Sequence, residues 1–185
     1  MKNYNIFEEY KDNQDIAKNF LWKKLCKWRL QGIINEIEIY KWWDDPASHA
    51  FCGKTKRNRP MFENWGCIYV YMIYGMYYCF NISIWHKWQP WAVLIRSIIP
   101  TNWIQQMTKN RNFPKNSNLT NWPGKICQSF KINKEYNWKV IWSNNCNVKI
   151  QEWIQEFNII STSRVWIQKW TDKKRRFFIK NTELN

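Results

Sequence analysis

Two carboxylates and a phenol stand at alternate positions in Gly32-Ile-Ile-Asn-Glu-Ile-Glu-Ile-Tyr40. The alternation predicts a β-strand with Ile33, Asn35, Ile37 and Ile39 on one face and Ile34, Glu36, Glu38 and Tyr40 on the other. Glu38 and Tyr40 then project side by side. Such a pair suits hydrolysis of a glycosidic bond, in which a carboxylate near the sugar takes a proton from water and aromatic rings stack the base. A tyrosine-rich run from Tyr69 onward could supply the rings. By residue pattern alone, a Glu36/Glu38 face is more often the solvated side of a half-buried strand, and tyrosines such as Tyr71 and Tyr74 are more often core aromatics.

The elements that must position these residues are legible in outline. Phe7, Tyr10, Ile16, Phe20 and Leu21 have helical spacing and predict a helix or two over residues 7 to 27. Residues 41 to 66 lack periodicity and read as a long functional loop. Ile68 to Tyr74 reads as a strand with Tyr69 and Tyr71 on one face, and Gly75 lets the chain turn. Trp91 to Ile99 reads as a strand ended by Pro100, and Ile104 to Arg111 as a short helix. A turn at Pro123-Gly124 precedes a helix containing Ile126, Cys127 and Phe130, and strands are expected around 139 to 150 and 176 to 180. The mixture indicates an α+β protein, and 185 residues suit a single compact domain spanning the whole chain.

The 29 Lys and Arg against 14 Asp and Glu give a formal charge of +15, spread along the chain. A polyanion is the expected partner, although the charge alone would also suit an anionic membrane surface. Six cysteines without a CxxC pair, and two histidines, lack the usual zinc spacings, so no metal is expected. The polar start, MKNYNIFEEYKDNQD, has no apolar core of the secretory kind, and a cytoplasmic protein with free, largely buried thiols is expected. Cys67 to Trp85 carries no charge and is long enough to span a bilayer as a helix. Its five central tyrosines favour strand and turn instead, because membrane helices hold tyrosine at the interfaces.

Glycine and tryptophan are out of balance. Average usage would give roughly 13 glycines, yet the chain has 5, with 15 tryptophans. Several tryptophans sit where turns ask for glycine: Asn64-Trp65-Gly66, Thr101-Asn102-Trp103, Asn121-Trp122-Pro123-Gly124 and Asn137-Trp138. An aromatic core or a carbohydrate-binding surface would place them at strand or helix periodicity. The pattern suggests a genetic code in which UGA specifies glycine.

Longer motifs identify a relationship. Glu36-Ile-Glu-Ile-Tyr40, Asp45-Pro-Ala-Ser-His-Ala50, Thr55-Lys-Arg-Asn-Arg-Pro-Met-Phe62 and Tyr69-Val-Tyr-Met-Ile-Tyr-Gly-Met-Tyr-Tyr-Cys-Phe-Asn81 resemble the alkyladenine (3-methyladenine) DNA glycosylase family in order and spacing. Ala92-Val-Leu-Ile-Arg96, Pro123-Gly-Lys-Ile-Cys-Gln128 and Arg176-Phe177 continue the match from about residue 15 to 180.

The resemblance implies a compact α+β domain with an antiparallel curved sheet and surrounding helices. It implies no metal or organic cofactor, and a monomer acting on double-stranded DNA that contains damaged purines, nucleoid-associated in a bacterium. The base is hydrolysed off and an abasic site is left. By the same resemblance Glu38 is the general base and Arg96 helps hold the attacking water. Tyr40, His49 and Tyr71 wall the base pocket, and Asn81 discriminates among purines. Tyr74 fills the gap left by a flipped nucleotide, with Met76 beside it on the DNA-binding tip. Arg57, Arg59, Lys125 and Arg164 are candidate phosphate contacts.

The chain departs from the family where Ile37 and Ile39 replace Thr and Ala, and where tryptophan stands at positions family members fill with glycine. These are Trp22, Trp65, Trp88, Trp122, Trp166 and Trp170, and one of Trp42 and Trp43. A different class of reading is a non-catalytic basic protein that stacks single-stranded nucleic acid on its aromatics.

Overall fold

The fold is a computed structural model that describes residues 13–63, 65–84, 90–115, 118–153, 158–167 and 172–180. A short helix α1 (Asn13–Lys18) leads into eight antiparallel strands. These are β1 (Lys24–Lys27), β2 (Leu30–Tyr40), β3 (Ile68–Ile73), β4 (Tyr77–Ser83), β5 (Ala92–Asn102), β6 (Val148–Gln151), β7 (Ile159–Thr162) and β8 (Arg176–Ile179). Helices α2 (Ile104–Asn110) and α3 (Pro123–Phe130) pack against each other, and α3 covers β4 and β5. The main strand order is β3-β4-β5-β2-β1-β6, while β8 pairs with both β2 and β7. One edge of β2 is thus shared by β1 near its start and β8 near its end, and the sheet curls at that fork.

The expected alternation over 33 to 40 forms β2, the long central strand. Its isoleucines Ile34, Ile37 and Ile39 are fully buried in one apolar cluster with Phe20, Phe80, Val93, Phe130 and Phe177. The uncharged segment 67–84 forms the β3–β4 hairpin, as its tyrosines suggest, and among the described residues no helix is long and apolar enough to cross a membrane. Five of the six cysteines are buried, all six are free, and Cys52 is exposed.

Several boundaries differ from expectation for physical reasons. The helix expected over 7 to 27 is only six residues long among the described residues, and 24 to 27 are β1. There the backbone finds partners on β2 and β6, so long-range pairing overrides local spacing. Residues 7 to 12 lie outside the described residues. Strand β5 does not stop at Pro100 but runs to Asn102. Pro100 is tolerated because it faces Gly32 beside a register shift, where a ladder hydrogen bond is already interrupted. Gly32 is required there: a Cβ would collide with the Ile98 methyl and lie 2.8 Å from the Ile99 carbonyl oxygen. Pro123 and Gly124 form the first turn of α3 and not a turn before it, the position where a missing N–H costs least. The strand expected over 139 to 150 shrinks to β6 and a single bridge between Cys67 and Val140.

Candidate active site

The site forms where β2 is enclosed on both edges. Directly paired residues run across the sheet as Glu38, Leu94, Asn81 and Tyr69, on β2, β5, β4 and β3 in turn. Residues opposite one another in an antiparallel ladder share a face, so Glu38, Asn81 and Tyr69 point the same way.

The β2–β5 ladder skips Asn35 on β2 and Arg96 on β5. Bulges of this kind re-aim side chains. Arg96, the extra residue on its strand, lies between the two carboxylates, with Nε donating to Glu36 Oε1 at 3.0 Å and Nη1 donating to Glu38 Oε2 at 3.2 Å. Arg176 on β8 adds a second donor to Glu36 Oε1 at 2.6 Å.

Glu38 is fully buried. A charged carboxylate there needs hydrogen bonds to offset its lost hydration, and it has three: the Tyr40 hydroxyl at 2.8 Å, Arg96, and the backbone N–H of Val165 at 2.7 Å. Burial, then the Glu38 charge and hydrogen bond, raise the Tyr40 pKa well above its ordinary value, so the phenol stays a donor. Burial opposes the Arg96 charge, but Glu38 and Glu36 outweigh it and raise its pKa. The face expected to be solvated on pattern alone is closed.

Beside this cluster is a small pocket lined by Tyr40, Ala47, His49, Met61, Tyr69, Tyr71, Asn81 and Ala92. The His49 ring meets the Tyr71 ring edge-on at 4.5 Å between centroids, and the Tyr69 and Tyr71 rings lie 5.4 Å apart. His49 Nδ1 and the Tyr69 hydroxyl share a hydrogen bond of 2.9 Å. Burial, then the Arg57 charge, push the His49 pKa down to about 4, while burial pushes Tyr69 up to about 12. Both are neutral near pH 7. Asn81 donates to the Tyr69 and Cys79 carbonyls at 3.0 and 3.2 Å, which fixes its amide in the pocket wall. Tyr40 belongs to the pocket and to the carboxylate cluster at once.

Sequence comparison identifies the family. The methylpurine-DNA glycosylase family model matches residues 7–183. The chain belongs to that family. Relatives assigned as 3-methyladenine DNA glycosylases include one from Ehrlichia ruminantium, 41% identical over 95% of this chain and 90% of its own length. Another, from Clostridium novyi, is 34% identical over 99% and 98%. A third, from Francisella tularensis, is 36% identical over 88% and 86%. The protein is a DNA glycosylase of the 3-methyladenine type, and DNA is the substrate the family implies.

The other residues singled out from the glycosylase's sequence fall into four places. Tyr74 and Met76 are exposed at the tip of the β3–β4 hairpin, where Met76 N–H closes a turn onto the Ile73 carbonyl at 3.1 Å and Tyr74 has a φ of +50°. A non-glycine in the left-handed region is strained, and such strain concentrates at functional sites. Arg57 and Arg59 are exposed on the 41–66 loop, Arg57 with its guanidinium 5.7 Å from the Tyr71 ring. Lys125 is half-buried on α3 and donates to Asn121 Oδ1 at 2.8 Å. Arg164 is elsewhere: it is buried, with Nη1 and Nη2 each 2.6 Å from Asp45. Trp88 and Trp170 lie outside the described residues.

Three participants carried no assigned role in the sequence reading. The Val165 N–H is a backbone donor that no residue type signals. Asp45 was visible only within a motif. Asn58, buried, holds the pocket loop by donating to the His49 and Gly53 carbonyls at 2.6 and 2.8 Å and accepting from Thr55 N–H at 2.6 Å. The only signal in the sequence is general: an asparagine in a loop readily bonds to nearby backbone.

Proposed function

We propose that the enzyme extrudes an alkylated or deaminated purine from duplex DNA into the Tyr40–His49–Tyr71 pocket and hydrolyses its N-glycosidic bond, leaving an abasic site. The observation that carries this reading is Glu38: a fully buried carboxylate whose hydrogen-bond partner, Tyr40, lines an aromatic pocket. In this reading the carboxylate takes a proton from water as the water oxygen bonds to the sugar carbon. The C–N bond breaks with its electron pair moving to the base, and the negative charge of Glu38 steadies the cationic sugar. Arg96 orients Glu38 and the water.

A purine alkylated on the ring carries positive charge and stacks well on electron-rich phenol rings. A neutral His49 supports the same preference, because an imidazolium there would repel a cationic base. Tyr74, at the hairpin tip, occupies the space the base leaves.

The test is base release from duplexes that each carry 3-methyladenine, 7-methylguanine, hypoxanthine or an etheno adduct, with abasic sites revealed by alkali. Release of at least the alkylated bases, with no strand cleavage before alkali, is expected. Absence of abasic sites from every lesion, or cleavage without alkali, contradicts the reading.

A further inference from the structure

We propose that Arg164 is a positioning residue, joined to Asp45 in a buried strut that holds the hydrogen-bond donors of Glu38. The inference rests on Glu38 acting as the general base. The Arg164 and Asp45 side chains are 1% and 0% exposed, so neither can meet a phosphate without unfolding the loop. The guanidinium grips the carboxylate with two parallel bonds of 2.6 Å, a geometry that fixes direction as well as distance. Asp45 also accepts from the Lys41 backbone N–H at 3.0 Å and is ion-paired with Arg175, whose Nη1 lies 3.2 Å from its Oδ2.

Arg164 reaches Glu38 by two routes. Its guanidinium lies 4.7 Å from the centre of the Tyr40 ring, whose hydroxyl donates to Glu38, and its Nη1 donates to the Ile39 carbonyl at 3.0 Å, between those two residues. Its chain neighbour Val165 supplies the N–H on Glu38 Oε1. Two of the three donors to the carboxylate therefore sit on segments that this one ion pair clamps together, although the segments are 119 residues apart in the chain.

The measurement is a comparison of Arg164→Lys and Asp45→Asn with the unaltered protein. It covers single-turnover base release at saturating enzyme, affinity for lesion duplex across salt, and near-UV circular dichroism. Arg164→Lys keeps the charge and loses the fork, so release at saturating enzyme falls by about 10²-fold. Affinity and its salt slope stay unchanged. Asp45→Asn lowers release in the same way. If an added Arg164→Gln, which removes the charge, instead lowers the salt slope by about one with release intact, the residue is a phosphate contact and the proposal fails. Wild-type release in both Arg164→Lys and Asp45→Asn also overturns it. Glu38→Gln run in parallel separates the two readings: wild-type release there removes the general-base assignment itself.

A separate observation concerns the tryptophans. Among the described residues nine non-glycines have φ in the left-handed region, and five of them are tryptophan: Trp22, Trp28, Trp103, Trp138 and Trp166, at φ from 54° to 73°. Only 15 of 185 residues are tryptophan, so residue frequency does not account for this share. Burial does not either, since Trp28, Trp103, Trp138 and Trp166 are 45% to 83% exposed. L-residues with large side chains avoid this region, and glycine fills it without strain. Trp42, Trp43, Trp65 and Trp122 are not among the nine, and Trp122 has an extended φ of −159°.

We infer that the five positions are glycine in the native protein, encoded by UGA. Codons and peptide masses of the protein isolated from its own host decide this: UGA codons with glycine peptides are expected, and UGG codons or tryptophan peptides overturn it. Glycine at the four exposed positions raises the melting temperature by about 2 to 8 °C per site, and an unchanged or lowered temperature also counts against the inference.

Discussion

His49 sits 2.9 Å from the Tyr69 hydroxyl in a pocket wall where burial and Arg57 hold its pKa near 4. An unfolded histidine takes its proton near pH 6.5. Between those two values the unfolded chain binds more protons than the folded one, so this group's contribution to stability is complete above pH 6.5 and is lost as pH falls toward 4. NMR titration of the His49 ring carbons in the free protein checks this. A midpoint near 4 is expected, and one at 6.5 contradicts the environment described. Asn58 offers a second residue-level test. Asn58→Ala strands the His49 and Gly53 carbonyls and the Thr55 N–H, at a cost of about 1 to 3 kcal/mol. The urea midpoint falls, and base release falls with it because His49 loses its support; an unchanged midpoint would show that the brace carries no load.

At the scale of elements, the bulged β2–β5 ladder and the β3–β4 hairpin divide the work. Gly32→Ala forces a methyl into Ile98 and the Ile99 carbonyl, and overpacking of this kind costs about 1 to 3 kcal/mol. A measured loss under about 0.5 kcal/mol, the ordinary range for surface changes, would contradict that tight approach. At the hairpin tip, Tyr74→Ala lowers release of a lesion from duplex DNA more than release of the same lesion from a single strand, which has no stack to open. Equal losses on both would place Tyr74 outside the flipping step.

The same elements explain what could be read from the residues in advance. β2 was legible because alternation of isoleucine with polar residues has one strand reading, and that reading already set Glu38 beside Tyr40. Strand β1 was hidden because Lys24–Lys27 takes its structure from partners on β2 and β6. The bulge that turns Arg96 between Glu36 and Glu38 depends on a one-residue slip between strands 60 residues apart, and the Val165 donor is backbone. Neither leaves a mark in local spacing. Arg164 shows the converse limit, since an arginine in a basic chain looks the same whether it faces a phosphate or a buried aspartate.

For the molecule as a whole, the charge of +15 favours a polyanionic partner, and the number of phosphates contacted sets how binding responds to salt. Lys56, Arg57 and Lys134 line a groove that adjoins Tyr71 and Met72, next to the base pocket. If a DNA strand lies there, Lys134→Ala reduces the slope of log affinity against log salt by about one, equally for damaged and undamaged duplex. A slope that does not change would move the DNA path off this groove.

In the proposed mechanism Glu38 drives base hydrolysis in a pocket whose binding capacity is separate from it. Single-turnover release of 7-methylguanine from duplex DNA by Glu38→Gln, set beside its affinity for the same duplex, tests this most directly. A rate lower by about 10²- to 10⁴-fold is expected, with affinity for the lesion duplex retained. Release at the unaltered rate, or loss of rate only in proportion to lost binding, would contradict it.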